Sequence, residues 1–156
     1  GVDEALQRRG VRTVRQGRVD AVVVGWHREF DYDRLTAAFR AVRSGARLIG
    51  TNDDPTYPTP SGPIPGGGSI LAAVAYASGA RAEVAGKPFA PVAELVRQRF
   101  GAIDTVVGDR PSTDGLLARR LGARFALVLS GVTGRGDLPV DPAPDVVADD
   151  LASLLD

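Results

Sequence analysis

Short apolar runs bounded by Gly, Asp or Ser recur along this chain: "DAVVVG" (20–25), "ARLIGT" (46–51), "AEVAG" (82–86), "IDTVVG" (103–108), "RFALVLSG" (124–131) and "DVVA" (145–148). Each is too short for a stable helix and reads as a buried strand. Helical patterns separate them. Leu35, Ala38, Phe39 and Val42 recur at helical spacing, with Asp31 placed to cap the N-terminus and Gly45 just past the end. Ser69 is placed to cap a helix through Ser78 that ends at Gly79. Phe89, Val92, Val96 and Phe100 share one face of a helix over 89–100, with Pro88 at its first position. A short helix over 112–121 ends at Gly122, and "DDLASLLD" (149–156) predicts a closing helix. Strands alternating with helices predict an α/β fold built on a mainly parallel sheet.

Charge and composition narrow the function classes. Nineteen basic residues balance nineteen acidic ones, so no global field draws the chain to nucleic acid or to an anionic membrane. No apolar run is long enough to span a bilayer. With no Cys there is no disulfide framework and no thiolate nucleophile or ligand, which is compatible with the cytoplasm. There is also no Met, which predicts that the chain is a piece of a longer protein. Eighteen of the basic residues are Arg, and the single Lys, Lys87, therefore invites a chemical reason for a compact point charge.

Ligands of open α/β sheets bind beyond the carboxyl ends of the strands. Asp109 stands at such an end, in "VVGDRPSTDG", and Asp114 falls in the first turn of the following helix. Oxygen ligands there suit Mg²⁺, which takes one or two carboxylates with phosphate and water. The alternative is local: Asp109 satisfies a turn, and Asp114 stabilises a helix N-terminus. Lys87, in "AGKP", follows the run at 82–86 and is expected on the same rim, where a cation can hold a phosphoryl group. The Pro/Gly-rich stretch 52–68 is long for a connection in a compact domain, which points to function.

In order along the chain, "GKP", a gap of about twenty residues, "VVGDRPSTD" and "LVLSGVT" resemble the haloacid dehalogenase-like (HAD) phosphatases. The branch is the one containing 4-nitrophenylphosphatase, pyridoxal phosphatase and the NagD-type nucleotide phosphatases. Thr51, Asn52, Asp54, Pro55 and Pro58 resemble that branch's "TNxDxxxP" loop, and Gly62, Pro65, Gly66 and Gly68 its following "G…PGxG". The resemblance runs the length of the chain. It implies a HAD-like Rossmannoid parallel sheet with an α/β cap, residues 1–85 being the cap and 86–156 the second half of the catalytic core. It also implies Mg²⁺-dependent hydrolysis of small phosphate monoesters through an aspartyl-phosphate. Asp109 is then an acidic Mg²⁺ ligand, and Asp114 supports the metal site through its water shell and Lys87. Lys87 neutralises the nucleophile and the transferring phosphate. Asn52, Asp54 and Tyr57 fall in the cap loop that selects the leaving group, and caps of this branch imply a homo-oligomer. Gly115 stands where the family has a branched apolar residue, and Ala118 where it often has Gly, which puts the packing of that helix in question.

Family members begin with an apolar strand running into "DxDG", whose first Asp attacks phosphorus and whose second is the acid/base. The one D-x-D here, "DYD" at 31–33, follows "GWHREF" and opens an amphipathic helix, so it reads as a cap. The nucleophile is expected outside these residues. His27, beside Trp26 in a connector, reads as structural. "PGGGSIL" has no predicted strand before it, so it does not make a dinucleotide fingerprint. The alternative to an enzyme is a non-catalytic α/β binding module on the same scaffold. The expected partner is a small phosphorylated metabolite, with no nucleic acid or membrane.

Overall fold

A helix that the apolar pattern did not announce, α1 (Val2–Gln7), precedes β1 (Ala21–Val24). Helix α2 (Tyr32–Arg43) follows, and Asp31 caps it by accepting the Arg34 N–H at 2.8 Å. Strand β2 (Arg47–Gly50) lies parallel to β1, with Val22 opposite Leu48 and Val23 opposite Ile49. The long loop after β2 carries a two-residue antiparallel ladder, β3 (Thr56–Tyr57) against β4 (Ile64–Pro65). A strand therefore does precede the glycine run, contrary to the sequence reading, but it belongs to a hairpin rather than to a βαβ unit.

Helix α3 (Gly67–Ser78) starts two residues before the expected Ser69 cap. The loop backbone explains the shift. The Gly68 N–H donates to the Asp54 carbonyl at 2.9 Å, and the Ser69 hydroxyl donates to the Pro55 carbonyl at 2.7 Å instead of capping its own helix. A Cβ on Gly68 would lie 2.2 Å from the Asp53 carbonyl oxygen, so the glycines exist here to let loop backbone pack on the helix start. Gly79 closes α3 in the left-handed region at φ 69°.

Strand β5 (Glu83–Val84) pairs with β2, giving the parallel order β1-β2-β5. Val24, Val42, Leu48, Leu71 and Val74 form the core between this sheet and helices α2 and α3, with Phe30, Leu35 and Ile70 packed against it. Deleting a buried side chain of this kind costs about 2–5 kcal/mol, so the alternation of apolar runs sets the stability of this unit. The unit spans Gly1–Val84, and a second begins at Ala85; the computed structural model describes Gly1–Leu155.

In the second unit α4 (Ala90–Phe100) starts after Phe89, with Pro91 rather than Pro88 in its first turn. Ala93 is its buried residue and Val92 and Val96 are half-buried, whereas Phe100 is exposed and does not join the expected face. Strands β6 (Thr105–Gly108), β7 (Arg124–Val128) and β8 (Val146–Ala148) form a parallel sheet in that order. A turn of π-helix, Pro111–Gly115, leads into α5 (Leu116–Leu121), which Gly122 ends at φ 73°. Ala118, Phe125 and Leu127 form the second core, with Val106, Leu129, Leu138 and Val140 around it. The expected closing helix is a single 3₁₀ turn, Ala152–Leu154, and Asp156 lies outside the described residues. No helix is long and apolar enough to cross a membrane among the described residues.

Candidate active site

Strand β6 ends at Gly108, so Asp109 leaves the sheet at its carboxyl end. Its Oδ2 accepts the Val132 N–H at 2.6 Å, and its carbonyl accepts the Thr133 N–H at 3.2 Å. These contacts tie Asp109 to the loop after β7. A Cβ on Gly131 would stand 2.0 Å from Asp109 Oδ2, so only Gly admits the carboxylate at that place.

Asp114 is 4% exposed in the π-turn that follows. Such turns insert one residue into the helical ladder and recur at functional sites. Its Oδ1 accepts from Lys87 Nζ at 2.6 Å, and its Oδ2 accepts the Arg110 N–H at 3.1 Å. Gly108 makes room for it, since a Cβ there would lie 2.3 Å from the Asp114 carboxyl carbon. Lys87 is half exposed, with 49% of its side chain accessible, so the pair is dry at the carboxylate and wet at the ammonium.

Lys87 reaches this place by a route the sequence reading had wrong. The run at 82–86 pairs with β2 in the first unit, so Lys87 does not follow a strand of the sheet that carries Asp109. It sits in the connector before α4, and its side chain spans the separation of 27 residues to Asp114.

The donor chemistry fits a hard cation in part. Asp109 Oδ1 carries no hydrogen bond among the described residues, which leaves one carboxylate oxygen for Mg²⁺. Both Asp114 oxygens are engaged, which suits a role through Lys87 and bound water rather than direct ligation. No group of three or more His, Asp or Glu is placed to hold a metal among the described residues.

In the first unit, Asn52 Oδ1 accepts the Asp54 N–H at 3.3 Å, and the Gly66 N–H donates to the Pro55 carbonyl at 2.8 Å. These bonds shape the loop that presents Tyr57 on β3. Sequence reasoning missed the partner of Tyr57. Trp26 stacks on it with ring centroids 4.6 Å apart and planes at 17°, while the Trp26 indole N–H donates to the Pro65 carbonyl at 3.1 Å. Both rings remain substantially exposed. The signal available was Trp26 as the only Trp, directly after "VVVG".

The remaining candidates have local roles. Asp31 accepts the Arg34 N–H and pairs with its guanidinium at 2.8 Å. His27 Nδ1 accepts the Glu29 N–H at 3.1 Å within the connector. The departure at Gly115 is also explained. A Cβ there would meet Pro142 at 2.7 Å and the Phe125 ring at 3.0 Å, so neighbouring side chains occupy the space of a branched residue. Ala118 is fully buried in the same core.

Residues 84–154 match the family described as HAD-hydrolase-like. The chain is 39% identical over 151 residues to the D-glycerol 3-phosphate phosphatase of Mycobacterium tuberculosis, covering 93% of this chain and 43% of that protein. Among solved structures it matches the p-nitrophenyl phosphatase from Archaeoglobus fulgidus with a TM-score of 0.89 and 33% identity, over 99% of this chain and 63% of that one. It matches the glycerol phosphate phosphatase of Mycobacterium tuberculosis in complex with magnesium with a TM-score of 0.87 and 36% identity, over 98% and 48%. The chain spans about half the length of the curated relatives it matches.

Proposed function

The chain belongs to the HAD-like hydrolases, and from that premise we propose that it is the cap and the second core half of a Mg²⁺-dependent phosphatase acting on small phosphate monoesters. One observation carries the reading: Lys87 and the buried Asp114 form a 2.6 Å ion pair in the unit where Asp109 leaves the end of β6 with one oxygen unclaimed. The Arg110 N–H satisfies one Asp114 oxygen and the Lys87 ammonium the other, so the buried carboxylate holds the single Lys of the chain in place.

In this reading Asp109 holds Mg²⁺, which supplies charge neutralisation at the phosphoryl oxygens. Asp114 fixes the Lys87 ammonium, and that ammonium offsets charge on the nucleophile and on the phosphate. Val132 N–H holds the Asp109 carboxylate in one orientation. The nucleophilic Asp and the acid/base Asp come from residues outside 1–156. Strand β6 is an edge of its sheet with Val107 42% exposed, which supports a further strand beside it. Relatives named glycerol-3-phosphate phosphatase, dihydroxyacetone phosphatase and 5'-nucleotidase support small phosphate monoesters as the substrate class. Asn52, Asp54 and Tyr57 contact the leaving group. The protein is a homo-oligomer through residues 1–85; α3 is uncharged and exposes Ala72, Tyr76 and Ala77.

The test is steady-state phosphate release by the intact protein with added Mg²⁺. Asp109→Asn is expected to lower kcat at least about a hundredfold and to raise the Mg²⁺ concentration needed, because an amide is a poorer ligand for a hard cation. Unchanged turnover and Mg²⁺ dependence would remove Asp109 from the site.

A further inference from the structure

The balanced total charge conceals a local imbalance. Between Glu4 and Asp20 the sequence places Arg8, Arg9, Arg12, Arg15 and Arg18 and no acidic residue. All five are exposed. Arg8 is tied to Glu4 at 2.5 Å. The guanidinium groups of Arg9, Arg12, Arg15 and Arg18 make no hydrogen bond or ion pair among the described residues.

The segment is folded back on α1. The Gly10 N–H donates to the Gln7 carbonyl at 2.9 Å, and the Val11 N–H donates to the Leu6 carbonyl at 3.0 Å. The Gln7 side-chain amide then donates to Thr13 Oγ1 at 2.9 Å. Two aliphatic side chains interleave with the arginines and stay in water: Val11 is 48% and Val14 is 45% exposed.

We infer that residues 8–18 form a docking surface for an anionic lipid bilayer. Unpaired arginines attract any polyanion, so charge alone does not choose the partner. The valines choose it. Aliphatic side chains gain by entering the boundary between headgroups and acyl chains, and gain nothing against hydrated nucleic-acid phosphates. Single-stranded nucleic acid is held on aromatic platforms, and the first aromatic residue in the chain is Trp26, beyond the segment. The arginines supply the long-range attraction and the valines the short-range anchorage. The surface is independent of the hydrolase reading, since Lys87, Asp109 and Asp114 lie in the other unit.

The test is flotation of the full chain with vesicles of phosphatidylcholine and phosphatidylglycerol, compared with phosphatidylcholine alone. Flotation separates bound protein from any aggregate, which sinks. Binding is expected only with the anionic vesicles, and half-molar NaCl should release most of it. Arg9→Gln, Arg12→Gln, Arg15→Gln and Arg18→Gln together should reduce it to background, at roughly fivefold per arginine. Val11→Ser with Val14→Ser should weaken it several-fold with the charge unchanged. A charge-matched control, Arg28→Gln, Arg40→Gln, Arg43→Gln and Arg81→Gln, alters exposed arginines elsewhere in the same unit and should keep most of the binding. Circular dichroism of each variant checks that it is folded. No flotation by the wild-type chain, or equal loss in the control variant, would overturn the inference. So would binding to duplex DNA at equal strength that the valine changes leave untouched, which would assign the arginines to nucleic acid.

Discussion

Replacing Lys87 with Met removes the charge that faces Asp114 and keeps most of the side chain's volume. The carboxylate is then left 4% exposed with the Arg110 N–H, at 3.1 Å, as its remaining donor. Breaking a fully buried ion pair costs about 3–5 kcal/mol, and an exposed pair is worth about 0.2–1 kcal/mol. This pair lies between, because the ammonium end is half in water and solvent can enter where it stood. The expected loss is about 2 kcal/mol. Asp114→Asn should cost less, about 1 kcal/mol, since an amide oxygen still accepts from Arg110 and the freed ammonium can hydrate. The double variant should be more stable than Lys87→Met alone, because it removes the stranded charge. Urea unfolding followed by circular dichroism measures all three, and amide exchange at Arg110 reports on the site itself. The reasoning fails if Lys87→Met is neutral, or if the double variant is the least stable of the three.

Other perturbations reach the neighbouring features. Gly131→Ala places a Cβ against Asp109 Oδ2, so the Val132 amide should lose its hydrogen bond and exchange faster, with Mg²⁺ affinity of the intact protein falling alongside. Tyr57→Ala should change the ranking of phosphate esters while sparing a small generic one, and Trp26→Ala should reproduce part of that change by unstacking the Tyr57 ring. Equal loss on every ester would indicate misfolding instead. Asp145 is held below the usual carboxylate range, chiefly by the Phe125 N–H at 2.8 Å and then by Arg119. A lowered folded-state pKa gives stability that is present above the unfolded value and lost as pH falls through the folded one. Stability of the wild-type chain should therefore decline below about pH 4, and Asp145→Asn should flatten that decline in acid unfolding curves.

The longer strands were legible because an apolar run closed by Gly or Asp has few other uses, and β1, β2, β6 and β7 fall within the runs that announced them. Helix ends were legible where one residue decides them, as Asp31 does for α2 and Gly122 for α5. The start of α3 was not, because it is set by carbonyls of residues 53–55 that no local pattern reveals. Nor did the two residues of β5 say which sheet they would join, which misplaced the route to Lys87. Phe100 kept helical spacing but stays exposed, with the Arg99 guanidinium 5.9 Å from its ring centroid rather than an apolar partner. Asp109 and Asp114 could be picked out from a strand end and a helix start. The pairing of Asp114 with Lys87 rested on an expected shared rim and on family resemblance, since no spacing rule joins positions 27 residues apart. Total charge hid the basic segment 8–18 because it averages those arginines with acidic residues elsewhere.

The central claim is that residues 1–156 hold the phosphate-supporting half of the site and lack its nucleophile. It is tested most directly by measuring Mg²⁺-dependent hydrolysis of p-nitrophenyl phosphate by this purified chain beside the intact protein. Positioning and charge stabilisation have no covalent step to act on without the nucleophile. The account predicts turnover at background for residues 1–156 and robust turnover for the intact protein. Robust turnover by the isolated chain, abolished by Asp31→Asn, would contradict it, because the cap of α2 would then be the nucleophile.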